Sequence, residues 1–426
     1  PPVDLAMQVA LPELDGRLHG PVIAFKDGGS RHEPSQCRIV RWQASASGIA
    51  RAAKQAAAWL RLRDTPPRDR RVALVLANYP VRDGRLANGV GLDTPASAIA
   101  ILKELKQAGY NIQSIADDGD ALIRSLQTGV TNVPPQADLP ADGKNQSAEA
   151  EEPAGTRRQV RVRVELERYR DWFARLPDEV QGAVTERWGS AEADPFCRDG
   201  ALLLPVLPLG QVVVALQPAR GYEIDPATSW HDPALVPPHR YLAFYLWLRH
   251  GFAAHAVVQV GKHGNLEWLP GKATGLSDAC HPAALLGPMP LVYPFIVNDP
   301  GEGSQAKRRT SAVIIDHLTP PLTRAETYGP LRDLEALVDE YYEAAGVDPR
   351  RIDHLRREIL SLTQATGLAD DAGMAGKDEA GDLARLDAYL CELKEAQIRD
   401  GLHVFGRSPE GRLERDLTQA LLRTPR

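Results

Sequence analysis

Apolar positions along the chain gather into short unbroken runs, separated by stretches with helical spacing. RRVALVLANYP holds one such run, Val72 to Ala77, bounded by arginines and a proline. A run of this kind fits a strand buried on both faces. PASAIAILKELKQAGY follows a glycine-rich stretch, opens on Pro95, closes on Gly109 and places Ile99, Leu102 and Leu105 along one face. These are ordinary helix start and stop signals. Upstream, the pattern predicts a strand at Val22–Phe25 and a helix at Ile49–Arg63. Downstream it predicts helices at Val164–Arg175 and Asp178–Trp188. LLLPVLPLGQVVVALQ reads as two strands around a turn at Leu209-Gly210, and PPHRYLAFYLWLRHG as an aromatic-rich helix closed by Gly251. Strands follow at 255–260, 291–297 and 312–315, and then helices at Leu331–Ala345, Asp348–Ala365 and Gly381–Arg399.

Strands alternating with helices predict a multi-domain α/β protein, with parallel-type sheets flanked by helices and a mostly helical C-terminal portion. Two stretches, 133–159 and 367–382, are rich in Ala, Asp, Glu, Gly or Pro and poor in large apolar residues. They are expected to be loops, because they have little surface to bury. The expected division is an α/β domain over 1–132, a flexible acidic, proline-rich linker over 133–159, an α/β domain over 160–330 and a helical portion over 331–426 with a loop at 367–382.

Composition narrows the function classes. A net charge of −6 over 426 residues offers no basic excess for nucleic acid. No apolar run approaches the roughly 18 residues of a membrane span. The four cysteines, Cys37, Cys197, Cys280 and Cys391, form no CxxC pair, so reduced thiols in a cytoplasmic protein are expected. The chain starts Pro-Pro-Val without a signal-peptide pattern and is read as an internal portion of a longer polypeptide.

The richest chemistry lies in GKHGNLEWLPGKATG, Gly261 to Gly275. It is not a phosphate-binding P-loop: six residues separate Gly264 from Gly271, and Ala273 stands where a hydroxyl would meet magnesium. A helical zinc site is poorly served, because Gly264 and Asn265 disfavour a helix between His263 and Glu267 and the second histidine is missing. What remains is a glycine-rich loop at the carboxyl end of a buried strand, where α/β sheets place ligands. It presents His263, Asn265, Glu267, Trp268 and Lys272. The strand at 291–297 is followed by Asn298, Asp299, Glu302, Gln305 and the basic run Lys307-Arg308-Arg309. If the two strands are neighbours, both clusters face one cleft. Proton acceptors, metal-binding groups, an aromatic plate and cations for carboxylates suit metal insertion into a tetrapyrrole. Pyrrole protons must leave as the metal enters, and arginines hold carboxylates bidentately.

Each residue also has a plainer reading. His263 can cap a turn, Glu302 can be the acid of a first helical turn, and Lys307–Arg309 a solvated helix end. Asp83 and Arg85 can hold a turn, although their glycine-rich loop follows a buried strand and joins the candidates together with Asn88. His255 and His317 are expected to be structural, and Trp42, Trp59 and Trp247 to be core.

HGNLEWLPGKATGLS, YPFIVNDPGEGSQAKRR and HLTPPLTRAETYGPLRDLEALVDEY closely resemble the cobaltochelatase large-subunit family and, less closely, the H subunit of magnesium chelatase. LPELDGR (11–17), ANYPVRDGRLANGVGLDTPAS (77–97) and GLHVFGRSPEG (401–411) fit the same family. NGVGLDTPAS and HGNLEW favour the cobalt branch. The resemblance implies a subunit that binds a tetrapyrrole, hydrogenobyrinic acid a,c-diamide in the cobalt branch, and takes Co2+ as substrate metal, with Mg2+ as the alternative. Magnesium-bound ATP would be used by separate AAA+ subunits, in keeping with the missing P-loop. His263 and Glu267 would be catalytic, and His263, Glu267 and Glu302 would contact the metal. Substrate contacts would come from Asn265, Trp268, Lys272, Asn298, Gln305, Lys307, Arg308, Asp83, Arg85 and Asn88. Lys262, usually Thr in the family, and Gln259, often His, depart from its pattern. These departures bear on the metal more than on the fold.

Overall fold

The computed structural model describes residues 2–78, 86–87, 92–133, 159–222, 233–261, 263–295, 300–317, 333–334, 336–337, 340–341, 349–365 and 402–423. The described residues up to 317, Leu92 apart, form one compact unit.

Its short N-terminal strands, β1 (Ala24–Lys26), β2 (Ser30–His32), β3 (Cys37–Ile39) and β4 (Trp42–Ala44), pair antiparallel, β1 with β4 and β2 with β3. The chain then forms β5 (Val72–Leu76), β6 (Val162–Glu165), β7 (Cys197–Arg198), β8 (Ala201–Leu204), β9 (Val206–Pro208), β10 (Val212–Leu216), β11 (Ala256–Val260), β12 (Leu291–Phe295) and β13 (Val313–Asp316). Six of these make the central sheet, in the order β13-β12-β11-β5-β10-β9. All its neighbours are parallel except the edge strand β9, which turns back on β10. The expected α/β class with a largely parallel sheet is what the chain adopts.

β5 shows why the sheet forms. All five of its residues are buried, none more than 4% exposed. Ala73 and Val75 join a core with Tyr241, Phe244, Leu285 and Tyr293 on one face, while Val72, Leu74 and Leu76 join Ile99, Leu102 and Leu122 on the other. Alternate side chains point to opposite faces of a strand, so a continuous apolar run requires a cover on each. Helices Thr94–Gln107 and Gly119–Gln127 supply one cover. Helices Leu166–Phe173, Asp178–Trp188, His239–Leu246 and His281–Leu286 supply the other.

Four expectations change. The sheet takes its central strand from before residue 133 and the other five from after 159, so the expected division at 133–159 falls inside one unit. Val164 and Glu165 belong to β6, which pairs with β8, and the helix starts at Leu166. The alternation Val162, Arg163, Val164, Glu165 has the period of a strand. Trp42, read as core, is 58% exposed. Pro205 divides the run 202–217 into three strands: β8 joins a sheet with β6 and β7, while β9 and β10 form the expected hairpin around Gly210.

The second unit contains helices Pro349–Ala365 and Arg412–Leu422. The first buries Leu355, Ile359 and Thr363; the second buries nothing. The expected helices at Leu331–Ala345 and Gly381–Arg399 lie largely or wholly outside the described residues.

Candidate active site at the strand ends

Numbered in chain order, the five parallel strands lie as 2-1-3-4-5. The order reverses between β5 and β11, and the crevice beyond the carboxyl ends at such a point is the usual ligand position. There the Ala77 amide donates to Val260 O at 2.8 Å, and the Gln217 amide to Leu76 O at 2.9 Å. The ends of β10, β5 and β11 therefore lie side by side. Gly261 follows β11 with φ 110°. A Cβ there would stand 2.6 Å from the Ala77 Cβ, so the close approach needs glycine.

The loop after Gly261 crosses the end of β5. Asn265 Nδ2 donates to Pro218 O beyond β10 at 3.3 Å, and its Oδ1 accepts from the Tyr241 hydroxyl at 2.6 Å. A single 3₁₀ turn, Leu266–Trp268, buries Leu266 and Glu267. Arg309, 5% exposed, clasps this turn and the segment after it: its guanidinium donates to Glu267 O at 2.5 Å, Leu269 O at 2.7 Å and Lys272 O at 3.0 Å. Arg220 donates to Trp268 O at 3.1 Å. Burial lowers the pKa of Arg309 and the charges of Cys280 and Glu267 oppose that; an arginine so placed remains a cation.

Glu267 is 2% exposed, and its Oε1 accepts from the Tyr293 hydroxyl at 3.1 Å. The same hydroxyl accepts from the Gly264 amide. Tyr293 thus fixes the carboxylate to the loop that carries His263, matching the single donor and the acceptor pairs of a phenol. His263 is half-buried, with Nδ1 2.6 Å from Gly264 O and its ring centroid 5.5 Å from that of Trp268. His263, Asn265, Glu267 and Trp268 are therefore brought together, and β11 and β12 are neighbours as the pattern required.

Other candidates sit differently. Lys272 is exposed and held through its carbonyl, and Gln305 is half-buried. Lys307 donates to Glu13 O at 3.3 Å, and Arg308 pairs bidentately with the Glu13 carboxylate at 2.7 and 2.6 Å. Arg308 also lines a cavity of about 990 Å³ with Arg17, Arg51, Lys54 and Arg249, a wall that includes none of His263, Asn265, Glu267 and Trp268. Gln259 is buried and donates to Val75 O at 3.1 Å, beneath Gly264. Lys262, Asp83, Arg85, Asn88, Asn298 and Asp299 lie outside the described residues, as does the side chain of Glu302. Among the described residues no three His, Cys, Asp or Glu side chains are grouped to hold a metal ion.

Sequence reasoning missed Tyr293, Tyr241, Gln217, whose side-chain amide donates to the Tyr241 and Tyr245 hydroxyls at 3.3 and 2.9 Å, and the clasping role of Arg309. The first three stand in apolar strand and helix patterns, where a tyrosine or glutamine looks like packing. Arg309 stood in a basic run that suggests solvent.

The CobN/Magnesium Chelatase family model matches residues 1–426. The chain belongs to this family. It is 54% identical over 424 residues to the aerobic cobaltochelatase subunit CobN of Sinorhizobium sp., covering 99% of this chain and 32% of that one. It is 54% identical over 426 residues to the subunit of the same name from Pseudomonas aeruginosa, covering 100% and 33%. A solved structure, the catalytic subunit of cobaltochelatase from Mycobacterium tuberculosis, superposes with a TM-score of 0.67 at 42% identity, over 99% of this chain and 34% of that one. The chain spans about a third of the length of the relatives it matches.

Proposed function

We propose that this chain is the tetrapyrrole-handling part of the large subunit of an ATP-dependent cobaltochelatase. It would take part in inserting Co2+ into hydrogenobyrinic acid a,c-diamide in the cytoplasm, with ATP hydrolysed by AAA+ partner subunits. The observation that carries this reading is the buried Glu267 carboxylate, held by Tyr293 beside His263 at the reversal of strand order. Names of relatives at 54% identity support the cobalt branch.

Insertion requires two pyrrole N–H protons to leave. Glu267 is positioned to accept a proton, and His263 is the second acceptor one loop turn away. Because Arg309 and Tyr293 fix Glu267, little reorganisation is needed when the proton arrives. Trp268 offers a flat apolar surface to the macrocycle. Asn265 acts by holding the loop, since both ends of its amide are occupied. Glu302 and Gln305 would complete the polar wall, with Glu302 also contacting the metal, and Asn298, Asp83, Arg85, Asn88 and Lys272 would contribute further substrate contacts. Lys307 and Arg308 would hold a substrate carboxylate only by exchanging it for Glu13.

The test is a titration of the full-length subunit with hydrogenobyrinic acid a,c-diamide and with metal-free protoporphyrin, read by tetrapyrrole absorbance and tryptophan fluorescence. Cobalt insertion is then assayed with partner subunits and ATP. Tight binding of the first macrocycle alone, followed by insertion, supports the proposal. Preference for protoporphyrin would move the chain to the magnesium branch, and binding without insertion would make it a carrier.

A further inference from the structure

Two buried polar side chains at the reversal of strand order have no hydrogen-bond partner among the described residues. Asn78 directly follows Ala77 at the end of β5 and is 8% exposed, yet neither its Oδ1 nor its Nδ2 makes a hydrogen bond there. Thr94, fully buried, leaves its hydroxyl unpaired as well. Buried polar groups are nearly always paired, so each exception asks for an explanation. Both border Ala77: Asn78 follows it in the chain, and Thr94 lies across Gly261 from it. A Cβ on Gly261 would stand 2.6 Å from the Ala77 Cβ and 3.3 Å from the Thr94 hydroxyl. Only glycine fits between Ala77 and the Thr94 hydroxyl, so no side chain from position 261 covers or pairs with that hydroxyl.

The groups also limit what can bind. Asn78 offers a donor and an acceptor a few ångströms apart, which pairs with a ligand group that accepts and donates in turn. A primary carboxamide does both. A carboxylate would satisfy Nδ2 and set its own lone pairs against Oδ1. Helix Thr94–Gln107 does not tip the balance toward an anion, because its first turn already holds the Asp93 carboxylate, which accepts from the Ala96 amide at 2.9 Å.

We infer that Asn78, with the unpaired Thr94 hydroxyl as a second contact at the strand ends, is a seat for a carboxamide group on the rim of the bound macrocycle and selects amidated over free-acid substrate. The inference rests on the tetrapyrrole reading proposed above. Asn78 is a specificity residue and takes no part in moving protons.

The experiment measures dissociation constants of the full-length subunit for hydrogenobyrinic acid a,c-diamide and for its free-acid parent, in wild type, Asn78→Asp, Asn78→Leu and Thr94→Val. Melting temperatures are taken in parallel. Wild type should favour the diamide by about tenfold, the value of two neutral hydrogen bonds. Asn78→Leu should lose that preference by weakening the diamide alone, Asn78→Asp should keep or enlarge it because its carboxylate accepts from the amide and repels the free acid, and Thr94→Val should reduce it partly. Wild-type preference in folded Asn78→Leu overturns the inference, as does equal weakening of both macrocycles in that variant or a gain of free-acid binding in Asn78→Asp. Should Asn78→Leu not fold, Thr94→Val decides: an unchanged preference overturns the inference. Wild type that binds neither macrocycle removes the tetrapyrrole reading itself, an outcome distinct from failure of the seat.

Discussion

Two polar clusters lie buried in the first unit, and they are finished differently. Around Arg240, 1% exposed, the guanidinium donates to Leu203 O at 2.9 Å, Asn132 Oδ1 at 3.1 Å and Thr131 O at 2.7 Å, and it lies 3.5 Å over the Phe196 ring. The Arg240 amide and the Tyr222 hydroxyl both donate to buried Asp194. Even with burial pulling the Arg240 pKa down to about 10, the side chain stays charged at neutral pH. At the strand ends, by contrast, Asn78 and Thr94 are left open while the loop bearing Glu267 is tightly held. A closed polar cluster fixes one arrangement of the chain. An open cluster on a rigid frame keeps hydrogen-bonding capacity for something that arrives. Substitutions should therefore separate the two, with stability lost at the first and function at the second.

The largest effect is expected at Glu267. Glu267→Gln keeps the shape and can still accept from Tyr293, but it cannot take a proton. Insertion should fall by about 10²–10⁴-fold, with macrocycle binding and the unfolding midpoint near wild type. Full insertion activity would remove Glu267 from the proposed mechanism. Arg240→Met is the converse. It strands Asn132 Oδ1 and the carbonyls of Leu203 and Thr131 and removes the cation near buried Asp194, and it should lower unfolding free energy by about 3–5 kcal/mol, measured by denaturant titration. A loss below about 1 kcal/mol would mean that water replaces the guanidinium and that the cluster is not closed.

Much of this contrast is legible in the sequence, and some is not. The run Val72 to Ala77 and the runs at 255–260 and 291–297 announce buried parallel strands, and glycines after them mark the loops. Periodicity registers how one element is buried, so the local pattern carries the strand ends and the His263–Trp268 cluster. It cannot show that Lys307 and Arg308 meet Glu13 across nearly 300 residues, or that Arg309, their neighbour, turns inward to three carbonyls. Nor can it show that β5 is shared across the 133–159 stretch, because strand pairing is non-local.

A pH experiment sharpens the comparison at intermediate size. His281 is 5% exposed on the segment after the clasped loop, and burial lowers its pKa from 6.5 to about 4, with Arg309 adding to the effect and a hydrogen bond with the Pro270 backbone opposing it. The folded state thus binds a proton less readily than the unfolded chain. The associated stability is fully present above pH 6.5 and is lost as pH falls toward 4, reaching about 3 kcal/mol at most. His281→Gln should flatten that part of the pH–stability curve. An unchanged slope would assign it to the other buried histidines, His239 foremost, whose pKa burial also lowers.

The smallest effect is expected where the two themes meet, at Gly261. Alanine there adopts a positive φ and also drives its Cβ against Ala77. Gly189 is the control, with φ 73° and open space within 4 Å of where an added Cβ would lie. Gly189→Ala should cost about 1–3 kcal/mol through backbone strain alone, its φ of 73° and ψ of −140° being a region that only glycine adopts readily. Gly261→Ala should cost about 1–3 kcal/mol and exceed the control by the energy of separating β5 from β11. Because that methyl also presses on Ala77 and the Thr94 hydroxyl, displacing the strand end that bears Asn78, Gly261→Ala should weaken binding of the amidated macrocycle, whereas Gly189→Ala should leave it unchanged. Equal stability losses and equal affinities in the two variants would mean that the strand ends yield easily, and the rigid frame on which the open cluster depends would then be absent.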